Sequence, residues 1–179
     1  MLNITEIDGN NLYESAEEAA AKDAKNLKSL GSGNTKYPTE YDPSVLESFP
    51  NPNPGSDDLV GLDCFEFRSL CPLTHQPDLA TIHICYIPNK WMVESKSIKL
   101  YLFSYANHGA FHERCVHTIM KDLVKLLEPK YLEVYGDFNS RGGVCILPFA
   151  QYANDEYREF KKERKLQMMN MFTAHKPRH

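Results

Sequence analysis

The sequence lacks any apolar run long enough to span a membrane. Of its 179 residues, 42% are hydrophobic and 25% are charged, and no apolar stretch approaches the roughly 18 to 20 residues that a membrane-spanning helix needs. The first residues, Met-Leu-Asn-Ile-Thr-Glu-Ile-Asp, lack the basic segment and apolar core of a secretory signal. We therefore expect a cytoplasmic protein with no membrane partner.

An excess of positive charge is also missing. The formal net charge is −4 and the sequence pI is about 6.0. A protein that holds tRNA or DNA by its backbone needs a basic face to neutralise phosphates. We therefore predict no nucleic-acid partner, although a few well-placed cations would suffice for a nucleotide-sized ligand.

Paired cysteine motifs and glycine-rich fingerprints are absent as well. The five cysteines are odd in number, widely spaced and free of any Cys-x-x-Cys pair, which argues against a disulfide framework or a zinc knuckle. His108 and His112 are four residues apart, but Gly109 interrupts the helix face that they would share, so we expect no metal. No Gly-x-Gly-x-x-Gly follows a strand, so a dinucleotide would bind without a Rossmann fold.

Composition divides the chain into three parts. Residues 1–58 read as a partly extended arm, with helix-forming residues between Leu12 and Leu30 followed by a proline-rich stretch. Residues 59–150 carry the periodic apolar pattern of a folded α+β catalytic domain. Residues 151–179 form a charged tail, which we expect to be a solvated helix or a frayed end.

Apolar periodicity predicts six elements in the middle part. Two alternating runs, 62–69 and 79–87, predict strands, and Phe65 and Phe67 should share one face of the first. Helices are expected from Met92 to about Tyr105 and from Phe111 to Leu127, followed by strands at 131–138 and 144–147. The order strand, strand, helix, helix, strand, strand predicts an antiparallel sheet with two helices on one face. Its two open edges would be covered if they pair between subunits into a closed barrel, which predicts an oligomer.

Cys71 is the first candidate for chemistry. It follows a strand, Pro72 stiffens the turn beside it, and Asp78 begins the next strand. A nucleophilic thiol needs partial exposure and a partner that manages its proton, and Asp78 could reach back across the loop. An inert loop cysteine beside a strand-capping aspartate explains the same spacing.

The starts of the two predicted helices hold the other candidates. Lys96 and Lys99 share a face near the start of the first helix, where cations oppose the helix dipole, which suggests that they meet an anion such as phosphate. Glu113 opens the second helix, and its carboxylate suits the paired donors of a guanine-like or pterin-like base. The alternatives are a solvated lysine face and an ordinary N-terminal glutamate.

Five short motifs occur in order along the chain: Ser69-Leu-Cys71-Pro with Gln76-Pro-Asp78, Glu94-Ser-Lys-Ser-Ile-Lys99-Leu-Tyr, Asn107-His-Gly, Phe111-His-Glu113 and Arg141-Gly-Gly143. Together they resemble the NADPH-dependent 7-cyano-7-deazaguanine reductases, the nitrile reductases of queuosine biosynthesis. The similarity covers about residues 29–150. It implies the tunnelling fold (T-fold) of the short, single-unit subfamily, a homo-oligomer of stacked pentameric rings (a decamer), and active sites between subunits.

The resemblance also implies a mechanism. Cys71, as a thiolate, adds to the nitrile of the free deazaguanine base to form a thioimide, and hydrides from two NADPH molecules complete the reduction to the aminomethyl group. Asp78 supplies protons. The implied substrate ligands are Val93, Glu94, Ser95, His112 and Glu113, and the implied ligands of the cofactor phosphates are Lys96, Lys99 and Arg141.

Three further readings stay open. Type I GTP cyclohydrolases and pterin synthases share the T-fold, but neither of their zinc ligand sets can be assembled here. A non-catalytic base-binding module would have no use for Cys71 and Asp78. In the family geometry Cys115 lies near the pocket and could form a reversible disulfide with Cys71 that shields the nucleophile, and a buried helix cysteine is the alternative.

Overall fold

The computed structural model describes residues 35–173, so the helix expected between Leu12 and Leu30 and the last six residues of the tail lie outside the described part. The elements are β1 Ser48–Pro50, β2 Val60–Leu70, β3 Pro77–Ile87, β4 Trp91–Val93, α1 Ser95–Phe103, α2 His112–Leu127, β5 Tyr131–Phe138, β6 Phe149–Ala153 and α3 Arg158–Thr173. Within this part of the chain, no helix combines the length and the apolar character needed to cross a membrane.

The main sheet has four antiparallel strands in the order β2-β3-β5-β6, which confirms the α+β architecture expected from the sequence. Alternate residues of β3, including Ile82 and Ile84, are fully buried and pack on α1 and α2 over one sheet face. The periodic residues of α2, such as Val116, Ile119 and Leu123, complete this core. Strands β2 and β6 are the open edges of the sheet.

The prediction that Phe65 and Phe67 share a face is wrong. Phe67 is buried in the core, whereas Phe65 is 73% exposed. The register between β2 and β3 shifts between Cys64 and Phe67. This β-bulge inserts one extra residue, which turns the side chain of Phe65 to the other face of the strand.

Both predicted helices form, with one corrected boundary. Helix α1 begins at Ser95 rather than Met92, because Trp91–Val93 is a strand that pairs with Ser48–Pro50 of the arm. Helix α2 ends at Leu127, where Glu128 adopts the left-handed conformation with φ of 45° and the following proline prevents continuation.

The fourth strand and the tail differ from the predictions. The strand expected at Val144–Leu147 lies instead at Phe149–Ala153 and crosses the boundary predicted at residue 150. Residue Arg141 exchanges both backbone hydrogen bonds with Val144, and this tight turn delays the start of pairing with β5.

The charged tail forms a docked helix, α3, against the sheet face opposite α1 and α2. Arg164 donates two hydrogen bonds of 2.8 Å to the buried carboxylate of Glu133 in β5, and Met168 is only 4% exposed. The prediction of two helices on one sheet face is confirmed for α1 and α2. The third helix, α3, covers the opposite face, so the tail is docked on the sheet rather than solvated or frayed.

Candidate active site

The loop after β2 holds Cys71 in a closed turn. The backbone N–H of Cys71 donates to the carbonyl of Gln76 at 2.9 Å, and its carbonyl accepts from His75 at 3.0 Å. His75 has a φ of 55°, a left-handed conformation that costs free energy in a residue with a side chain. The loop thus places the thiol, which is half-buried, at a fixed point beyond the strand.

A second set of backbone contacts brings the start of α2 to this loop. Leu70 donates to the carbonyl of His108 at 3.0 Å and accepts from Ala110 at 3.1 Å, so the segment before α2 runs beside the end of β2. Gly109 lies against Pro72, since a Cβ built at this glycine would be 3.6 Å from the Cα of the proline. The first turn of α2 consequently borders the Cys71 loop.

These elements enclose a cavity of about 270 Å³. Its lining includes five residues that the sequence proposed as functional: Cys71, Asp78, His112, Glu113 and Arg141. The side chains of Phe111, Val144 and Ile146 add an apolar wall. A cavity with a few convergent polar groups and an apolar wall is typical of a site for a small organic ligand.

The environment of Cys71 favours its thiolate. Hydrogen bonds from the side chain and backbone of Thr74, then from the backbone of Leu73 and the side chain of Arg141, lower the pKa of the Cys71 thiol to about 7. Since these donors stabilise the negative sulfur, a large share of Cys71 is nucleophilic near neutral pH.

Asp78 lies in the same cavity and carries a buried carboxylate, with 5% of the residue exposed. Oδ1 of Asp78 is 3.1 Å from Nε2 of His112 and 2.7 Å from a guanidinium nitrogen of Arg141. Two donors at one oxygen offset the cost of burying a charge. Asp78 and Cys71 therefore line the same cavity, and the role of Asp78 in proton transfer stays a prediction.

His112 is oriented by packing as well as by its contact with Asp78. Its ring stacks on Phe138 of β5, with centroids 4.0 Å apart and planes 17° apart. Nδ1 of His112 is buried and has no hydrogen-bond partner among residues 35–173. Because an ionised carboxylate can only accept, Nε2 donates to Asp78.

Glu113 differs from the other polar residues of the cavity. It lies in the first turn of α2 and is exposed, so its carboxylate remains accessible to a ligand. The carboxylate also gains from the partial positive charge at the helix N-terminus.

The remaining predicted residues, Val93, Glu94, Ser95, Lys96 and Lys99, form a separate group at the start of α1. None of them is among the residues that line the Cys71 cavity. Glu94 is the N-cap of α1, with its buried carboxylate accepting from the backbone of Lys96 at 2.8 Å and of Ser97 at 2.7 Å. Ser95 and Lys99 are exposed. The structure thus brings five of the ten predicted residues together and leaves the other five apart.

Two contributors were missed by sequence reasoning. Thr74 has the largest effect on the Cys71 thiol, and a hydroxyl three residues after a loop cysteine was the available signal. Phe138 supports the ring of His112 from a distant strand, which no local pattern reveals. Within residues 35–173, no group of three or more His, Cys, Asp or Glu side chains is placed to hold a metal.

The predicted disulfide stays a prediction. Both Cys71 and Cys115 are free thiols in the structure. Cys115 is fully buried in α2, and burial raises the pKa of its thiol to about 11.

Comparison with known proteins adds independent information. A family model described as QueF-like protein matches residues 77–157. The crystal structure of the apo archaeosine synthase QueF-Like aligns with a TM-score of 0.52 and 22% identity, covering 55% of this chain and 97% of that one. At this identity the structural match supports the T-fold alone.

Curated relatives are much more similar. An NADPH-dependent 7-cyano-7-deazaguanine reductase of Helicobacter pylori (strain HPAG1) is 65% identical over 141 residues, which cover 79% of this chain and 95% of the relative. A protein of the same name from Neisseria meningitidis serogroup C (strain FAM18) is 53% identical over 145 residues, covering 80% of this chain and 92% of the relative. With this identity over nearly the whole of its relatives, the chain belongs to the family of NADPH-dependent 7-cyano-7-deazaguanine reductases.

Proposed function

We propose that this protein reduces the nitrile of free 7-cyano-7-deazaguanine to the aminomethyl group with NADPH, as a step of queuosine biosynthesis. The observation that carries the proposal is a cysteine whose pKa is lowered to about 7 in a small cavity with a buried carboxylate, Asp78. The names of the curated relatives support the same reaction.

Cys71 makes the first bond. Its thiolate adds to the nitrile carbon, the carbon–nitrogen triple bond becomes a double bond, and the nitrogen takes up a proton to give a thioimide. A nitrile is a poor hydride acceptor, and the covalent adduct is a better one. We assign the delivery of that proton to Asp78, because its carboxyl group lines the same cavity.

The full conversion adds four electrons, because a nitrile becomes a primary amine. NADPH supplies them as two hydrides. On this chain, Lys96 and Lys99 fit its phosphates, since they are cationic and share a face at the start of α1. Arg141 is a third candidate at the cavity itself, where one-third of its side chain is exposed.

The base would be held from two sides. Glu113 is exposed at the cavity and can accept two parallel hydrogen bonds from a ring N–H and an amino group. His112 flanks it. Val93, Glu94 and Ser95 are the proposed ligands on α1 and the preceding strand, with Glu94 already anchored as a helix cap.

The separation of the two groups of residues supports a site shared between subunits. We propose a homo-oligomer of stacked pentameric rings, in which the open edges β2 and β6 pair and α1 of one subunit faces the Cys71 cavity of its neighbour. The exposed apolar side chains at the cavity, Phe111 at 58% and Val144 at 64%, favour such a contact.

Following NADPH oxidation in the presence of 7-cyano-7-deazaguanine tests the reaction. Two NADPH molecules should be consumed per base, and Cys71→Ala should abolish both turnover and any covalent adduct seen by intact-mass spectrometry. The matched control is Cys85→Ala, which should retain activity. Cys85 is a half-buried thiol of β3 on the sheet face opposite α1 and α2. Turnover by Cys71→Ala would rule out the covalent mechanism.

Mixing two inactive variants tests the shared site. Cys71→Ala and Lys99→Ala subunits, assembled together from denaturant, should regain activity at about a quarter of the sites if each site draws one residue from each neighbour. Mixtures that stay inactive, although native mass spectrometry shows mixed oligomers, would argue that each subunit forms its site alone.

A further inference from the structure

Arg141 makes contacts that a phosphate ligand alone would not need. The same guanidinium nitrogen lies 2.7 Å from Oδ1 of Asp78 and 3.0 Å from the carbonyl oxygen of Gln76. That carbonyl also accepts the backbone N–H of Cys71. One side chain thus connects the buried carboxylate to the turn that carries the nucleophile.

The backbone fixes where this guanidinium can reach. Arg141 and Val144 exchange both of their backbone hydrogen bonds at 3.0 Å, and Gly142 and Gly143 supply the positive φ angles of 56° and 81° that the turn requires. The base of the side chain is therefore held, while its end remains 33% exposed.

The contribution of Arg141 differs from that of the other titratable groups around Cys71 and Asp78. His112 and Glu113 of α2 line the same cavity as the pair, Cys115 lies two residues after Glu113 and interacts electrostatically with Asp78, and His75 belongs to the Cys71 loop. Glu113 brings negative charge to the cavity, which opposes a thiolate, and the histidines are charged only when protonated. The guanidinium of Arg141 supplies a positive charge next to Asp78.

From this geometry we propose that Arg141 is a positioning residue for Cys71, which ties Asp78 to the nucleophile loop and favours the thiolate in the ligand-free enzyme. The inference rests on the proposed function only in taking Cys71 as the nucleophile. It differs from the role of a phosphate ligand, because it acts before any cofactor binds.

Thiol alkylation of the ligand-free protein tests the inference without turnover. The rate of Cys71 modification by iodoacetamide is measured from pH 5.5 to 9.5, with fragmentation spectra to separate Cys71 from Cys85 on the same tryptic peptide, Ser69–Lys90. In Arg141→Gln the profile should move to higher pH, with modification about threefold slower at pH 6.5, as expected for a rise of about half a pH unit. Arg158→Gln, which removes the same charge from the exposed surface of α3, should leave the profile unchanged.

Two further results complete the test. Arg141→Lys keeps the charge on a shorter and less rigid donor, so its profile should lie between those of wild type and Arg141→Gln. An unchanged profile in Arg141→Gln, with only a raised KM for NADPH, would overturn the inference and leave Arg141 as a phosphate ligand. If circular dichroism shows that Arg141→Gln does not fold, Arg141→Lys decides, and a wild-type profile there overturns the inference. A shifted profile in a protein that does not reduce the nitrile would support this inference and reject the proposed function.

Discussion

Nε2 of His112 lies 3.1 Å from Oδ1 of Asp78, so a residue at the start of α2 donates to a carboxylate at the start of β3. Asp78 pairs with Ser69 in the β2–β3 ladder, and the Cys71 loop closes this hairpin. Asp78 is therefore held by the sheet, while its partner His112 is supplied by a helix.

Replacing Asp78 by Asn should separate proton transfer from structure. The amide oxygen can still accept from His112, but the side chain can neither take up nor release a proton. We expect the fold to persist and kcat to fall by about 100-fold or more, measured by NADPH oxidation and circular dichroism. Asp155→Asn, at a solvent-exposed site, is the control. Activity within a few-fold of wild type in Asp78→Asn would exclude this residue as the proton donor.

Thr74 should control the reactivity of Cys71 more strongly than any other side chain. Its hydrogen bonds are the main reason that the pKa of the Cys71 thiol is lowered to about 7. Since a lowered pKa means thiolate at neutral pH, Thr74→Val should move the alkylation profile to higher pH and slow the reaction at pH 7 by about fivefold. Thr74→Ser keeps the hydroxyl and should preserve the profile. Equal profiles for Val and Ser would show that the hydroxyl contributes nothing.

Much of the fold could be predicted because its pattern is local. The alternation around Ile82 and Ile84 and the helical spacing around Ile119 each follow from one element burying one face. The nearness of Cys71 and Asp78 could also be inferred, since a hairpin brings the ends of its two strands together.

The features that were missed depend on residues far apart in sequence. The bulge beside Phe65 is visible only in the register between β2 and β3. The docking of α3 depends on Met168 and on the pair Arg164–Glu133, and the many charged residues around them made the segment resemble a solvated helix. Likewise, Arg141 and Asp78 meet across 63 positions of the chain, so the motif around Arg141 could suggest a cation but not its partner.

Glu94 and Glu113 were both predicted to bind the base, yet the structure predicts different consequences for their loss. Glu94 is buried and caps α1 through two backbone N–H groups, so Glu94→Ala should lower the free energy of unfolding by about 1 to 2 kcal/mol. Glu113 is exposed, so Glu113→Leu should change stability little.

The role of Glu113 in binding is tested by calorimetry with the substrate, in the Cys71→Ala background to prevent the covalent step. Glu113→Leu should weaken binding of the base by about 2 to 3 kcal/mol, because it leaves ring donors without an acceptor. Unchanged affinity would reject Glu113 as the base ligand. Glu113→Gln retains one acceptor oxygen, so its affinity for the base should lie between those of the protein with Glu113 and of Glu113→Leu.

A side chain at Gly136 should disturb both the packing of the core and the active site. A Cβ at this position would lie 2.8 Å from the ring of Phe138 and 2.8 Å from Val116. Because the Phe138 ring supports His112, Gly136→Ala should cost about 1 to 3 kcal/mol in stability and also lower kcat. At Gly61, in β2, a Cβ would meet no atom of residues 35–173 within 4 Å, so Gly61→Ala should leave both quantities nearly unchanged. Urea unfolding and steady-state kinetics would reveal either outcome, and full activity in Gly136→Ala would show that the ring adjusts freely.

Two neighbouring methionines test whether α3 is part of the folded domain. Met168 is 4% exposed and packs on the sheet face opposite α1 and α2, whereas Met169 is 52% exposed. Met168→Ala should therefore lower the free energy of unfolding by about 2 to 4 kcal/mol through lost burial and the cavity left behind. Met169→Ala makes the same substitution at an exposed position of the helix, so it should change the free energy of unfolding by less than about 0.5 kcal/mol. If both variants unfold at the wild-type urea concentration, the packing of Met168 contributes no stability, and the pairing of Arg164 with Glu133 must keep the helix on the sheet.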